Sequence, residues 1–200
     1  MPKVIDVPQR RAQLAQAVWR VIRRDGLERA SVRNVAREAG LSMGALRHYF
    51  ATQDELIGFA MQLVMDRVRA RVADVAHAAP DARSSAVAML EEVLPLDAER
   101  LAEAQVWLAF TARSLVDPAL AALRDRADED LHHLCEIAVT ALMDQDRAQR
   151  RQLDHSLEAE RLYALVDGLA LHAVTRPSAT DPGRVRAVLA CHLDTLTGPG

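Results

Sequence analysis

The chain has 200 residues, of which half are hydrophobic and only 4% aromatic, and its formal net charge is −3. This length suffices for one core, or for a small domain joined to a larger one, and two cysteines exclude a disulfide framework. Alanine and leucine are abundant and β-branched runs are few, so the expected fold class is all-α. Because neither a signal peptide nor an apolar run of about 18 residues is present, we expect a soluble, cytoplasmic protein.

Positive charge is concentrated at one end of the chain. Residues 1–50 carry ten cations and four anions, a net charge of +6, which leaves −9 for the other 150 residues. This asymmetry fits phosphate binding at the N-terminal end, although an ordinary solvated face would give the same count. Residues 1–8 read as a flexible arm. Lys3, Arg10 and Arg11 are candidate phosphate contacts or simply solvated cations.

The first predicted helix runs from about Gln9 to Asp25. Its apolar residues recur at helical spacing and form one stripe, which consists of Leu14, Ala17, Val18, Val21 and Ile22. Gly26 is a candidate C-cap that ends this helix. Trp19 is interpreted as packing on this small core rather than contacting DNA.

Two short helices follow, over about Val32–Ala39 and Met43–Phe50. Ser31 and Ser42 are candidate N-caps, because a serine hydroxyl can accept hydrogen bonds from the free amides of a first helical turn. Gly40 lies where the backbone must reach positive φ. So short a link makes the helices cross steeply, which is helix-turn-helix geometry and offers the second helix to a DNA major groove.

A capping box opens the next helix at Thr52, with Glu55 placed to reach back to the cap amide. The helix continues to about Ala78, a length of roughly 35–40 Å that can connect the DNA-binding end to the rest of the protein. Five further helical segments are predicted, which gives about nine helices in all. They cover about residues 81–94, 97–115, 118–143, 156–175 and 182–196, with a polar loop within 144–154 and a frayed tail from Thr197.

The N-terminal pattern resembles the TetR family of transcriptional regulators. The resemblance rests on Val32, Val35, Ala36, Ala39, Gly40, Leu41, Ser42, Gly44, Leu46, His48, Tyr49, Phe50, Thr52, Asp54, Glu55 and Leu56, with Asp167-Gly168-Leu169 near the C-terminus. It implies a helix-turn-helix DNA-binding domain over residues 1–53 and a helical effector-binding and dimerisation domain over residues 54–200.

The same resemblance implies which residues meet DNA. Arg33, Met43, Gly44 and His48 correspond to positions that face bases, and Ala45, Arg47, Tyr49 and Gln53 to positions near phosphates. Ser42 belongs to the same face. Relatives commonly have Tyr at the position of Arg47 and Lys at that of Gln53. Arg33 could donate to guanine O6 and N7 or simply contact the DNA backbone, and the sequence leaves both open.

Dimerisation is expected from two apolar stripes near the C-terminus and from the need of such regulators for two DNA half-sites. The stripes could equally pack within one chain. They consist of Leu162, Leu165, Val166, Leu169 and Ala173, and of Val185, Val188, Leu189, Leu193 and Leu196.

A small-molecule effector is also expected, bound among mostly apolar walls with a few polar groups. Few aromatic residues are available for a cage around a quaternary ammonium ligand. The candidate effector contacts are the polar and aromatic residues within otherwise apolar helices, namely Trp107, Phe110, Thr111, His133, Glu136, Tyr163 and Asp167.

Enzymatic and metal sites are not predicted. The chain lacks a glycine-rich phosphate loop, a nucleophile elbow and a His-Glu-x-x-His motif, so we expect no catalytic residues and no cofactor. His132 and Cys135 share a helical face with His133 nearby, but no second cluster completes a metal site. The acidic runs Glu91-Glu92 and Asp128-Glu129-Asp130 are interpreted as solvated faces.

The sequence therefore predicts a DNA-binding transcriptional regulator, a ligand-responsive repressor that acts as a homodimer on a pseudopalindromic operator. The alternative is a helical protein-interaction module whose N-terminal domain no longer binds DNA. Gln53, at a position where a cation was expected, and the acidic total charge support the alternative.

Overall fold

A computed structural model describes residues 7–143 and 153–197, which form nine α-helices and no strand. The prediction of an all-α fold with about nine helices is confirmed for these residues. The arm at residues 1–6, most of the predicted loop and the end of the tail lie outside them. The helices are α1 (Val7–Asp25), α2 (Val32–Glu38), α3 (Met43–Arg47), α4 (Gln53–Ala78), α5 (Ala82–Glu91), α6 (Ala98–Ser114), α7 (Ala121–Met143), α8 (His155–Thr175) and α9 (Pro182–Thr197).

The predicted caps set the helix boundaries at the N-terminal end. The Ser31 hydroxyl accepts from the Asn34 amide at 3.2 Å, and the Ser42 hydroxyl accepts from the Ala45 amide at 3.1 Å. Gly40 has φ 66° between α2 and α3, as the turn requires. The two serine caps and Gly40 fix the short link between α2 and α3, and this link sets the helix-turn-helix geometry.

The capping box of α4 differs in one bond from the prediction. The Thr52 hydroxyl accepts from the Glu55 amide at 3.1 Å, as expected. The Glu55 carboxylate accepts from the Ala51 amide at 2.7 Å, one residue before the predicted cap amide. Ala51 lies just before the cap, and no backbone carbonyl of the described residues accepts from its amide. The Glu55 carboxylate supplies that acceptor.

Helix α3 is shorter than predicted, because it ends at Arg47 rather than Phe50. The amides of Tyr49 and Phe50 both donate to the Leu46 carbonyl, at 2.8 and 3.0 Å, which tightens the last turn. Phe50 is buried and its ring lies 4.9 Å from that of Phe59 on α4. The chain therefore leaves the helix early so that Phe50 can pack on α4.

Two hydrophobic clusters make up the interior. The first joins α1, α2, α3 and the N-terminal half of α4 to α6, and it includes Trp19, which packs as predicted. The second joins α5, α7, α8 and α9, with the C-terminal half of α4 packed against it. Helix α4 thus belongs to both clusters, and a domain boundary at residue 53 stays a prediction.

Most side chains of the two C-terminal apolar stripes pack inside the chain. Leu162 and Val166 on α8, and Leu189 and Leu193 on α9, are all at most 1% exposed and lie in the second cluster. These four side chains have little surface left for a partner, whereas Leu165, Leu169 and Val188 of the same stripes are only half-buried. The contribution of the stripes to the dimer interface therefore stays a prediction. The alternative interpretation, packing within one chain, describes the buried members of both stripes.

Replacing Gly40 by alanine is expected to lower the free energy of unfolding by about 1–2 kcal/mol. No atom lies within 4 Å of a Cβ placed there, so the whole cost arises from the backbone at φ +66°. Urea denaturation followed by circular dichroism measures it. Gly44→Ala is the matched control, because Gly44 is helical and has equally open surroundings. Equal destabilisation by both substitutions would contradict the backbone explanation.

Candidate functional site

The predicted DNA-contacting residues lie around one exposed face of α3. Leu46 is fully buried and fixes the helix on the first cluster. Met43 is 38% exposed, and Gly44, Arg47 and His48 are exposed as well. Because glycine adds no side chain, this face lets another molecule approach the helix backbone closely.

The arginines at this end of the molecule fall into two groups. Arg20 and Arg24 on α1 bind Glu38 at the end of α2, at 2.7 and 2.8 Å, and hold the two helices together. Arg33 and Arg47 are exposed and make no ion pair with any residue that the structure describes. The free positive charge of Arg33 and Arg47 is thus available for phosphates or base edges.

The side chains of Gln53 and Tyr49 are held by contacts within the protein. The Gln53 side-chain amide donates to the Ala30 carbonyl at 2.9 Å and fastens the start of α4 to the segment before α2. Tyr49 is half-buried against the first cluster. Both residues border the α3 face, and the Gln53 bond occupies the amide group that a phosphate contact would use.

A cavity of about 560 Å³ lies between the two hydrophobic clusters. Its volume falls in the range of about 300–1,000 Å³ that is typical of sites for drug-sized molecules. Helices α4 to α8 supply the walls. The apolar lining residues are Met61, Val64, Met65, Val68, Val72, Ala73, Ala76, Met89, Val93, Ala104, Trp107, Ala127, Leu131, Leu134, Ile137, Val166 and Ala170.

Three of the seven predicted effector contacts line this cavity, namely Trp107, His133 and Asp167. The other four lie elsewhere. Phe110 is fully buried in the first cluster, and Glu136 is on the surface beside His132 and His133. Thr111 lies one residue beyond Phe110 on α6, and Tyr163 packs against the second cluster with its ring 5.8 Å from that of His132.

Ion pairs that sequence reasoning missed form part of the cavity wall. Arg71 on α4 donates to Glu103 at 2.6 and 2.9 Å and to Glu92 at 2.7 Å. The Glu103 side chain is only 5% exposed and that of Glu92 15%, so the interpretation of Glu92 as part of a solvated face is wrong. The one sequence signal was Glu103 itself, a charge between alanines in an apolar stretch of α6.

Two more arginines pair with carboxylates that line the cavity. Arg100 donates to Glu92 at 3.1 Å, and Arg69 donates to Asp130 at 2.6 Å. Glu92, Glu103 and Asp130 each therefore have a guanidinium partner. Such pairing offsets the cost of holding charges away from water.

Asp167 differs from the other carboxylates of the wall. Burial raises the pKa of its carboxyl, and the negative charge of Asp128 raises that pKa further. Burial likewise raises the pKa of Asp128. The Tyr163 hydroxyl lies 3.5 Å from an Asp128 oxygen, which is long for a hydrogen bond. Asp167 and Asp128 thus place two carboxyl groups within electrostatic range of each other between α7 and α8, with Arg124 acting on Asp128.

The histidine and cysteine side chains near the middle of α7 do not converge. Cys135 is fully buried in the second cluster, and burial raises the pKa of its thiol to about 12. His132 instead faces Glu160 at 3.0 Å and Glu136 at 3.5 Å. Within residues 7–143 and 153–197, no three His, Cys, Asp or Glu side chains are grouped as a metal site requires.

Helix α6 connects the cavity to the α1–α3 end. Trp107 lines the cavity, whereas Arg113, near the other end of α6, donates to Asp54 in the first turn of α4 at 2.5 and 2.9 Å. Glu99 at the start of α6 pairs with Arg67 at 2.9 Å and with Arg23 on α1 at 3.7 Å. A displacement of α6 would therefore be transmitted to α1 and α4.

These features define a helix-turn-helix protein with a separate helical body that contains a mostly apolar cavity. None of the helices described here is long and apolar enough to cross a membrane.

Comparison with known proteins gives the family. Residues 14–58 match the bacterial regulatory proteins of the tetR family, and residues 80–198 match the C-terminal domain of BetI-type transcriptional repressors. The HTH-type transcriptional regulator PksA of Bacillus subtilis (strain 168) is 42% identical over 201 residues, which cover 98% of this chain and 94% of PksA.

Solved structures agree with this result. A transcriptional regulator from Rhodococcus sp. superimposes with a TM-score of 0.76 at 32% identity, over 93% of this chain and 95% of the other. A regulator from Saccharomonospora viridis, solved in complex with choline, gives a TM-score of 0.76 at 25% identity, over 94% and 96% of the two chains.

The chain belongs to the TetR family of transcriptional regulators and has a BetI-type repressor C-terminal domain. It is a DNA-binding transcriptional regulator whose partners are operator DNA, a small-molecule effector and a second copy of the chain. The prediction of a ligand-responsive homodimeric repressor is confirmed at the level of the family. Nothing favours the alternative of a module that no longer binds DNA.

Proposed function

We propose that Arg33, Met43, Gly44 and His48 read operator bases while Arg47 binds phosphate. The exposed α3 face with its unpaired arginines carries this assignment. In a dimer, two such faces enter successive major grooves about 34–36 Å apart. The protein acts in the cytoplasm by binding and release, without catalysis.

Release follows from the position of the cavity. An effector that fills the cavity contacts α4 and α6, the two helices whose ion pairs reach the DNA-binding end. An effector that prefers a spacing of the α3 helices unlike that of the operator shifts the population away from the DNA-bound state. The choline complex of the Saccharomonospora viridis relative supports a small-molecule effector.

The second copy covers the outer face of α8. Apart from Arg161, the residues considered there are apolar or small and at least partly exposed, in contrast to the largely buried stripe on the opposite side of α8. Leu157 is 59% and Leu171 45% exposed, with Ala164 between them. Gly168 on the same face, with no atom within 4 Å of a Cβ placed there, allows a partner helix to approach closely.

Replacing Arg47 by alanine is expected to weaken binding to operator and random DNA alike, because a phosphate contact carries no sequence information. The plot of the logarithm of the binding constant against the logarithm of the salt concentration has a negative slope, and the magnitude of this slope should decrease by about 0.9 for the lost contact. Replacing Arg33 by alanine should instead cost about 1–3 kcal/mol on specific bases and relax preference there. Fluorescence anisotropy over a salt series, on selected operator and random duplexes, measures both effects.

Arg126→Ala is the matched control, since Arg126 is exposed on α7, far along the chain from α3. Equal losses for Arg33→Ala and Arg47→Ala on specific and random DNA would contradict the division into base and phosphate contacts. The absence of salt-dependent binding to any DNA would contradict DNA binding itself.

A further inference from the structure

One carboxylate on the cavity wall lacks a counter-ion. Glu92, Glu103 and Asp130 each bind an arginine, but no cation among the described residues pairs with Asp167. Taking an unpaired charge out of water is costly, and buried charges in proteins are ordinarily paired. Asp167 is only half-buried, so its carboxyl group keeps contact with water, and where it ionises no described side chain of the ligand-free protein neutralises it.

The surroundings concentrate this charge toward the cavity. Val166 and Ala170, the neighbours of Asp167 in the lining from α8, are apolar, and Leu131 faces the same space from α7. Asp128, which is itself within range of Arg124, adds a second carboxyl group close enough to affect Asp167. In apolar surroundings a charge acts more strongly than in water. An ammonium, amidinium or phosphonium group that entered the cavity would meet its strongest attraction at Asp167.

We infer that the effector is an amphipathic organic cation, whose positive group pairs with Asp167 and whose apolar body fills the cavity that helices α4 to α8 enclose. This inference rests on the proposed release of DNA by a ligand in the same cavity. Asp167 is then the residue that determines the charge of the effector, and the apolar walls determine its size.

The cavity does not suit a small quaternary ammonium compound such as choline. Recognition of such a group relies on aromatic rings around the cation, and Trp107 is the single Phe, Tyr or Trp among the described lining residues. A volume of about 560 Å³ also leaves most of the space around so small a molecule unfilled. The distinguishing features are thus a carboxylate and a large apolar body.

Tetraphenylphosphonium and tetraphenylborate test the inference, because they share size and shape and differ in the sign of their charge. Calorimetric titration of the full-length protein should show saturable 1:1 binding of the phosphonium per chain. Tetraphenylborate and choline should each bind at least about tenfold more weakly. Comparable binding of the borate, or tighter binding of choline, would overturn the inference.

Asp167→Asn is the decisive variant, since it removes the charge and keeps the shape of the side chain. It should weaken phosphonium binding at least about tenfold. The matched control Glu129→Gln removes a charge from the exposed side of α7 and should leave binding unchanged. Unchanged affinity in Asp167→Asn, or an equal loss in Glu129→Gln, would overturn the assignment.

Stability separates this role from a structural one. Because the Asp167 charge is unpaired, Asp167→Asn should keep or raise the melting temperature of the ligand-free protein while losing the rise that phosphonium produces. A lower melting temperature together with unchanged phosphonium affinity would show a purely structural role. The Asp167→Asn protein should still bind operator DNA, so its binding of phosphonium tests this inference separately from DNA binding. If the unsubstituted protein binds no DNA, the proposed function is overturned instead.

Discussion

Operator affinity is expected to fall at least about 100-fold when Gly44 is replaced by leucine, toward the level of non-specific binding. Gly44 is exposed on α3, and the nearest atom to a Cβ placed there is the Ser42 hydroxyl oxygen at 4.0 Å. The leucine side chain would extend freely in the unbound protein but would stand between the helix backbone and the bases in the complex. Fluorescence anisotropy with a selected operator duplex measures the loss.

The same substitution should leave the fold intact. Leucine favours a helix interior over glycine, so the free energy of unfolding should be unchanged or rise by up to about 1 kcal/mol. Gly44→Ala, which adds a single methyl group, serves as the control and should retain most of the affinity. If the Gly44→Leu protein binds operator as tightly as the unsubstituted protein, the assignment of α3 to the DNA-binding surface is wrong.

Replacing Phe110 by alanine is expected to lower the free energy of unfolding by about 3–5 kcal/mol. The ring is fully buried in the first cluster, where α6 meets the DNA-binding end. The substitution leaves a void at the contact between the two parts of the molecule. Urea denaturation gives the change in stability.

Trp107→Ala is the matched control for Phe110→Ala. Trp107 lies one helical turn away, is half-buried, and borders space that is already empty of protein atoms. Its removal should cost less than about 2 kcal/mol, although the indole is larger than the phenyl ring. If both substitutions destabilise the protein equally, the placement of Trp107 on the cavity wall is wrong.

The helix boundaries were predictable because short-range chemistry decides them. Ser31, Ser42 and Thr52 accept the first-turn hydrogen bonds that their types and spacing indicate, and Gly40 adopts the positive φ that the turn requires. The predicted end of α4 at Ala78 is also confirmed. The end of α3 was not predictable, because the packing of Phe50 on Phe59 overrides a pattern that would continue the helix.

The cavity was only partly predictable, because five helices meet to form it. Trp107 and Phe110 are three residues apart on α6 and so share roughly one helical face. Both contact the first cluster, yet only Trp107 borders the cavity. Helical spacing cannot separate the two, since the difference depends on which neighbours fill the space. The counter-ions of Glu103 and Glu92 come from α4 and from the start of α6, and no local motif indicates such pairs.

Three side chains of α4 have two functions at once. The cavity is lined in part by Met61, Val64 and Met65. These side chains also belong to the first hydrophobic cluster, against which α3 packs. A substitution there that adapts the cavity to another effector also alters the support of the DNA-binding surface. Most of the apolar wall from α7 and α8, including Leu131, Leu134 and Val166, belongs to or packs against the second cluster. Divergence among related regulators in what they sense should therefore accumulate on α7 and α8, while α4 is held by its structural role.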